Sequence, residues 1–239
     1  MENMQKMIEV YLDSASADEI FEFYSNPEWK IDGFTTNPTL MRAAGVTNYL
    51  DFVRQVTSRI SDSPISFEVL ADDLEKMRDQ AIRLQKIAEN VWVKIPVSNS
   101  KGESTAKLVG QLNKIGVKVN VTAMFTLRQI EENFNEVQGG QEVIFSVFAG
   151  RISDAGYNAQ KLLSDFTKIT RENSQIKVLW ASTREAYNLV QAAESGCQII
   201  TLTAPLLRKT QMFGKDLDDY SIETVQMFLD DAMASGYDF

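Results

Sequence analysis

Three side chains could carry covalent chemistry on a carbonyl group. Lys94 lies in Val91-Trp92-Val93-Lys94-Ile95-Pro96-Val97, a run that reads as a central buried strand. Desolvation disfavours a charged ammonium and so favours the neutral amine, which can attack a carbonyl and form a Schiff base. The purely structural reading is a lysine that snorkels to solvent or pairs with a carboxylate such as Glu68. The strand alone leaves both open. Glu68 and Asp13 are the candidate proton carriers, because making and dehydrating a carbinolamine takes several proton transfers that two carboxylates could divide. Asp13 also reads as an N-cap of the first helix, whereas nothing structural calls for a carboxylate between Phe67 and Val69.

The counts narrow the chemistry. There is no histidine in 239 residues, which removes most zinc hydrolase, metal-dependent aldolase and Ser-His-Asp chemistry. Proton transfer must then fall to carboxylates, lysine, tyrosine, cysteine or bound water. A net charge of −9 disfavours nucleic acid and anionic membranes as partners, so an anionic substrate needs a local basic pocket. The lone Cys197 follows Gly196 and reads as a small buried hydrophobe; with no disulfide possible within the chain, the composition suits a reducing cytoplasm. Residues Met1 to Met7 lack the apolar core of a secretory signal, and no later run is long enough to span a bilayer. No metal-ligand spacing, dinucleotide fingerprint or P-loop is present, so no metal or cofactor is expected.

The elements that must position these residues follow from periodicity. Short apolar runs recur at 8–12, 33–36, 65–70, 91–95, 117–122, 143–148, 178–181 and 199–202, with amphipathic segments between them. Near-continuous apolar character suits parallel strands covered on both faces. Tyr49, Phe52, Val53, Val56 and Ile60 share one helical face, as do Leu74, Met77, Ala81, Leu84 and Ile87. Gly116, Gly139 with Gly140, and Gly196 precede new strands as helix C-caps, and Asp72 reads as the N-cap of the third helix. Eight strand–helix units in this length predict one α/β domain over residues 1–239, a single (β/α)8 TIM barrel. The structural alternative is a doubly wound open sheet, but Asp13-Ser14-Ala15-Ser16 lacks the glycines of its phosphate loop. An extra C-terminal helix, with Ile222, Val225, Phe228, Leu229 and Ala232 on one face, is expected to pack on the barrel or on a neighbouring subunit.

A barrel of this kind keeps its chemistry at the C-terminal ends of its strands. There the sequence sets Asp13, Thr36 with Asn37, Glu68, Lys94, Asn120 with Thr122, Ser146 with Arg151 beyond it, and Ser182 with Arg184. Asn37-Pro38 also reads as the opening of a loop or helix. Arg151 and Arg184 would ordinarily be exposed loop charges; their place after strands six and seven makes them candidates for a forked phosphate clamp, with Ser182 as a hydroxyl donor.

These residues resemble the transaldolase family and its short relatives, the fructose-6-phosphate aldolases. Thr35-Thr36-Asn37-Pro38-Thr39-Leu40 is similar to the family's TTNPS/T motif, Trp92 to Val97 to its Schiff-base strand, and Asn120-Val121-Thr122 to its N-[LIV]-T strand. Phe148-Ala149-Gly150-Arg151-Ile152 and Ala181-Ser182-Thr183-Arg184 are similar to F-x-G-R-I and A-S-F-R. The resemblance implies a Schiff base on Lys94, acid–base work by Asp13 and, through a bound water, by Glu68. It further implies substrate contacts from Asn37, Asn120, Thr122 and Ser146, and phosphate binding by Arg151, Ser182 and Arg184. Val147 and Thr183 depart from the family's usual proline and phenylalanine and could alter how the sugar is seated. Glu68 with Phe148 is the transaldolase pairing, where the aldolase branch has Gln and Tyr. The expected activity is therefore transfer of a dihydroxyacetone unit between phosphorylated sugars, with release of free dihydroxyacetone as the alternative. A barrel that only binds sugar phosphates would have no need of Lys94 and Glu68. The resemblance also implies a homo-oligomer, a pentamer or a decamer.

Overall fold

The computed structural model describes residues 8–237, so the reading of Met1 to Met7 lies outside it. Eight parallel strands close into a barrel in sequence order: β1 (Glu9–Asp13), β2 (Gly33–Thr35), β3 (Ile65–Glu68), β4 (Val91–Pro96), β5 (Val119–Met124), β6 (Val143–Val147), β7 (Ile176–Trp180) and β8 (Ile199–Leu202). Closure comes from β1 pairing with β8, Tyr11 opposite Thr201 and Leu12 opposite Leu202. The connections carry α1 (Ala17–Ser25), α2 (Pro38–Ala43), α3 (Tyr49–Arg59), α4 (Leu74–Gln85), α5 (Ala106–Lys114), α6 (Leu127–Glu136), α7 (Ala149–Asp154), α8 (Ala159–Thr170) and α9 (Asn188–Glu194). After β8 come α10 (Ala204–Lys209), a 3₁₀ turn (Thr210–Met212) and α11 (Leu217–Ser235). The fold is the (β/α)8 barrel that the periodicity predicts, with the extra C-terminal helix.

Two apolar layers hold it. The larger lies between strands and helices and includes Phe23, Phe34, Val56, Phe67, Val93, Phe145 and Trp180. The smaller fills the barrel interior with Tyr11, Trp92, Ile144, Leu179, Ala181 and Ile199, against which Phe148 packs. Strand periodicity of two separates the layers: Val91, Val93 and Ile95 face the helices while Trp92 and Lys94 face inward. Gly33 shows how tight the interior is, since a Cβ there would stand 2.7 Å from the Tyr11 ring.

The termini of the elements are shifted from the sequence reading where a strand runs into its loop. β3 stops at Glu68 rather than at Leu70, β6 at Val147 rather than at Phe148, and β7 starts at Ile176 and stops at Trp180. The third crossover helix is capped by Asp73, whose side chain accepts from the Lys76 N–H, and not by Asp72. Asp72 instead accepts from the Ser100 N–H and hydroxyl, both at 2.7 Å. At the end of β5 the pairing with β6 slips between Val121 and Met124, and Ala123 takes a left-handed φ of 58°. Such a bulge bends a strand end and re-aims its side chains, here directly beyond Thr122.

The C-terminal helix departs from one half of its expectation. None of the residues of α11 is buried, and Ile222, Val225, Phe228 and Leu229 are all more than half exposed. It therefore does not bury its apolar face on its own barrel. Among the described residues no helix is long and apolar enough to cross a membrane.

Candidate active site

Strand register brings the candidate residues to one mouth. Glu68 pairs with Lys94 across β3 and β4, Lys94 with Asn120 across β4 and β5, and Asp13 with Thr35 across β1 and β2. Lys94 is 6% exposed. Its Nζ donates to the Thr36 carbonyl at 2.8 Å and stands 3.3 Å from Glu68 Oε2. The snorkelling alternative is thus set aside, while the carboxylate pairing is present but long for a charge-assisted bond. Behind Glu68, the Tyr49 hydroxyl donates to its backbone carbonyl at 2.5 Å and fixes that end of β3 against α3.

Asp13 does not cap a helix. Ser16 takes that role, its hydroxyl accepting from the Glu19 N–H. The Asp13 carboxyl is half-buried and accepts the Thr35 hydroxyl at 2.7 Å. Desolvation pushes its pKa above the ordinary aspartate value, against opposing pulls from the Lys94 charge and from hydrogen bonds with Thr35 and Asn37. A carboxylate so placed is a better proton acceptor than an exposed aspartate. Asn37 serves two ends at once: its side-chain oxygen caps α2 by accepting from Leu40 N–H at 2.9 Å, as the loop-opening reading expects, and its side chain also pulls the Asp13 pKa down.

A second polar string crosses the barrel beside Lys94. The Ser146 hydroxyl donates to Asn120 Oδ1 at 2.7 Å, and Asn120 Nδ2 donates to the Ser66 hydroxyl at 3.0 Å. These three residues are almost wholly buried, so Asn120 is held rigidly by its neighbours on β3 and β6. The Thr122 hydroxyl, 1% exposed, has no partner among the described residues. A buried polar group left unpaired is costly unless water or a ligand meets it.

The structure moves the emphasis within the Thr35-Thr36 pair. Thr36 is fully buried and spends its hydroxyl on the Ser66 carbonyl, reaching Lys94 only through its own carbonyl. Thr35 is the residue whose side chain meets Asp13. Thr35, Ser66 and Thr201 were missed by sequence reasoning; the signal available was the two-residue alternation along each strand, which puts Thr35 on the same face as Gly33 and opposite Asp13.

The basic residues gather on the rim beyond β6 and β7. Gly150 lies so close to the next loop that a Cβ there would fall 1.7 Å from the Ser182 carbonyl oxygen and 3.1 Å from Arg184 Cγ. Only glycine permits this approach, and it brings the start of α7, which carries Arg151, against the loop that carries Ser182 and Arg184. Ser182 holds a left-handed φ of 63°, a strained backbone of the kind found at functional loops. The Arg151 guanidinium stands 5.8 Å from the Phe148 ring centroid. Arg184 is not free: its Nε and terminal nitrogen bond Asp154 at 3.0 and 2.7 Å. That hydrogen bond holds the Asp154 carboxyl below the ordinary aspartate range. Thr183, the departure from A-S-F-R, donates to the Thr201 carbonyl at 3.2 Å and ties this loop to β8.

Elsewhere, Cys197 is buried and desolvation pushes its thiol well above the ordinary value, so it packs and does not attack. No group of three or more His, Cys, Asp and Glu side chains that could hold a metal ion occurs among the described residues.

Comparison with known proteins places these features in a family. A probable transaldolase of Methanococcus maripaludis (strain C7) is 33% identical over 214 residues, covering 89% of this chain and 93% of its own. That of Thermoanaerobacter sp. (strain X514) is 35% identical with the same coverage, and that of Caldicellulosiruptor saccharolyticus is 34% identical over 219 residues, covering 90% and 94%. Among solved structures, native KDPGal superposes with a TM-score of 0.57 at 14% identity, covering 92% of this chain and 96% of the other. KGPDC from Streptococcus mutans gives 0.56 at 12%, covering 84% and 90%. At such identities the likeness speaks to the barrel alone. The family described as Transaldolase/Fructose-6-phosphate aldolase matches residues 10–238, and the chain belongs to it.

Proposed function

We propose that this enzyme is a transaldolase that transfers a dihydroxyacetone unit by a Schiff base on Lys94. Its donors are ketose phosphates such as sedoheptulose 7-phosphate or fructose 6-phosphate, and its acceptors are aldose phosphates such as glyceraldehyde 3-phosphate or erythrose 4-phosphate, as in the pentose phosphate pathway. The observation that carries the reading is a lysine 6% exposed inside the barrel mouth, within 3.3 Å of one carboxylate and in the field of a second whose own pKa is raised.

Lys94 Nζ attacks the ketose carbonyl carbon. Glu68, acting through a bound water, supplies and removes the protons that turn the carbinolamine into a Schiff base with loss of water. Asp13 then takes the proton of the hydroxyl next to the scissile carbon–carbon bond. The aldose leaves, and the electron pair of the broken bond is held by the iminium. The same steps in reverse join the three-carbon unit to the acceptor. Asn37, Asn120 and Ser146, fixed by their hydrogen bonds, and Thr122, with its unpaired hydroxyl, are suited to the sugar hydroxyls or to the water. Thr36 acts through its carbonyl on Lys94.

Arg151, Ser182 and Arg184 take the phosphate. Substrate must draw Arg184 off Asp154, and a phosphate dianion competes well for a guanidinium held in an exposed ion pair. Phe148 offers no hydroxyl to orient a second water, so the three-carbon unit waits on Lys94 for an aldehyde. The chemistry requires no metal or cofactor, and the buried lone thiol is compatible with the cytoplasm. The unburied apolar face of α11 suits a homo-oligomer.

Borohydride added with fructose 6-phosphate tests the reading: a stable adduct should map to Lys94, and an adduct on another lysine, or none, overturns it. If free dihydroxyacetone is released as fast as it is transferred to erythrose 4-phosphate, the activity is the aldolase one.

A further inference from the structure

Asp13 stands at the end of a chain of hydroxyls. The Thr35 hydroxyl touches Asp13 Oδ1 at 2.7 Å and the Thr201 hydroxyl at 2.6 Å, and Thr201 in turn lies 3.5 Å from the Tyr11 carbonyl. Both threonines are under 5% exposed, so water does not substitute for these contacts. Thr201 sits on β8, the strand that closes the barrel against β1.

We infer that Thr201, acting through Thr35, is a positioning residue that holds Asp13 in one rotamer and biases it toward its carboxylate form. This rests on the proton-accepting role proposed above for Asp13. The argument is one of donor counting. A hydroxyl has one proton, and Thr35 has two short contacts. With Asp13 ionised, Thr35 donates to Oδ1 and accepts from Thr201, and both short contacts are satisfied. A proton landing on Oδ1 reverses the chain: Asp13 donates to Thr35, Thr35 to Thr201, and Thr201 must turn to the Tyr11 carbonyl at the limit of hydrogen-bond range. A proton landing on Oδ2 leaves Thr35 donating to an uncharged oxygen, which is the weaker bond; the bond from Thr201 polarises the Thr35 hydroxyl and strengthens its donation to the carboxylate more than to the neutral acid, and that preference is what removing the Thr201 hydroxyl loses. Either outcome is worse than the ionised arrangement.

Other groups around Asp13 set the background. Lys94 on β4 pulls its pKa down and lies 3.3 Å from Glu68 of β3; β2 and the loop after it present the uncharged Thr35 and Asn37. On the outer side of the wall, α10 turns Arg208 away to Glu22.

The experiment measures transfer from fructose 6-phosphate to erythrose 4-phosphate across pH with the full chain. Thr201→Val should move the acidic limb of kcat/KM upward by roughly half to one pH unit and lower kcat at neutral pH by about three- to tenfold, the size of one lost hydrogen bond, with KM within about twofold. Thr201→Ser should restore both. Thr201→Ala gives the same readout if valine crowds the barrel. A profile for both Thr201→Val and Thr201→Ala that superimposes on that of the unaltered enzyme overturns the inference, as does failure of Thr201→Ser to rescue at equal thermal stability. Asp13→Asn separates the two layers of argument. If it abolishes the acidic limb while the Thr201 variants leave that limb in place, only the hydroxyl chain falls; if it leaves the limb intact, the role of Asp13 falls first.

Discussion

At each mouth of this barrel one lysine meets a pair of carboxylates, and the two sets behave differently. At the N-terminal mouth Lys177 bonds Glu9 Oε1 at 2.9 Å and Glu142 Oε1 at 3.0 Å, in a recess of about 620 Å³ that also touches Tyr11, Asp32, Trp92 and Lys118. Burial pulls the Lys177 pKa down, but the hydrogen bonds and charges of Glu9 and Glu142 more than offset it and leave it above the ordinary lysine value. At the C-terminal mouth Lys94 is far more deeply buried, has one carboxylate at 3.3 Å, and gives its other contact to a neutral carbonyl. Asp13 is spent on Thr35 instead of on the lysine. One end clamps its lysine between two carboxylates; the other gives its lysine one longer carboxylate contact and a carbonyl. The residue types alone do not tell the two lysines apart; the number and length of their compensating contacts do.

Exchanging methionine for each lysine breaks the comparison most directly. Lys94→Met should lower transfer by roughly 10⁴-fold or more, because the covalent route is lost and not merely slowed, while Lys177→Met should leave kcat/KM within about twofold. Steady-state assays on the two variants decide it; a large catalytic loss in Lys177→Met would erase the distinction between the mouths. Glu68→Gln comes next. It removes a proton carrier but keeps the shape, so transfer should fall by roughly 10²- to 10⁴-fold with little change in melting temperature. Unchanged transfer would reassign Glu68 to holding Lys94 in place.

Stability should show the reverse ranking. Lys177→Met leaves Glu9 and Glu142 facing each other without a cation, and the enzyme should lose about 1–2 kcal/mol, or roughly 2–6 °C in melting temperature. The sign follows from linkage: a lysine whose folded pKa is raised stabilises fully below its unfolded value, and that contribution fades as pH climbs through the folded one. The loss in the variant should therefore be complete at neutral pH and shrink only in strongly alkaline solution.

How much of this was legible in the sequence depends on the distance over which each feature is decided. The barrel was legible because strand and helix periodicity are local and repeat eight times. Lys94, Glu68 and Asp13 were legible as types at strand ends, since burying a charge inside a β run needs a reason. The double use of Asn37 was half visible, as Asn-Pro announces a helix start but not an effect on Asp13. Thr35 and Thr201 were invisible because they are 166 residues apart and meet only when β8 closes on β1. The capture of Arg184 by Asp154 was hidden likewise, for it depends on Gly150 letting two loops touch. Asp72 and Asp73 were both eligible caps, and the choice was made by Ser100, 28 residues away.

Asp13 supplies the finest probe of the contrast, because it is the carboxylate proposed as proton acceptor and is expected to cost stability. Its folded pKa is raised above the ordinary aspartate value by desolvation. A group of that kind contributes stability that is fully present below its unfolded pKa, about 3.9, and that is lost as pH rises through the folded value. In the proton-accepting role proposed above Asp13 is the carboxylate, which bears the cost of its burial, only partly offset by Lys94, Thr35 and Asn37. Asp13→Asn removes the charge and keeps both the size and the hydrogen-bonding capacity toward Thr35. The variant should therefore melt slightly above the unaltered enzyme at pH 7, and its advantage should shrink as pH falls toward 4, while transfer falls with the loss of the proton acceptor. Paired thermal melts from pH 4 to pH 8 measure this. A variant less stable than the unaltered enzyme at pH 7 would mean that the attraction between Asp13 and Lys94 outweighs desolvation, and the C-terminal mouth would then be a clamp of the same kind as the one formed by Lys177.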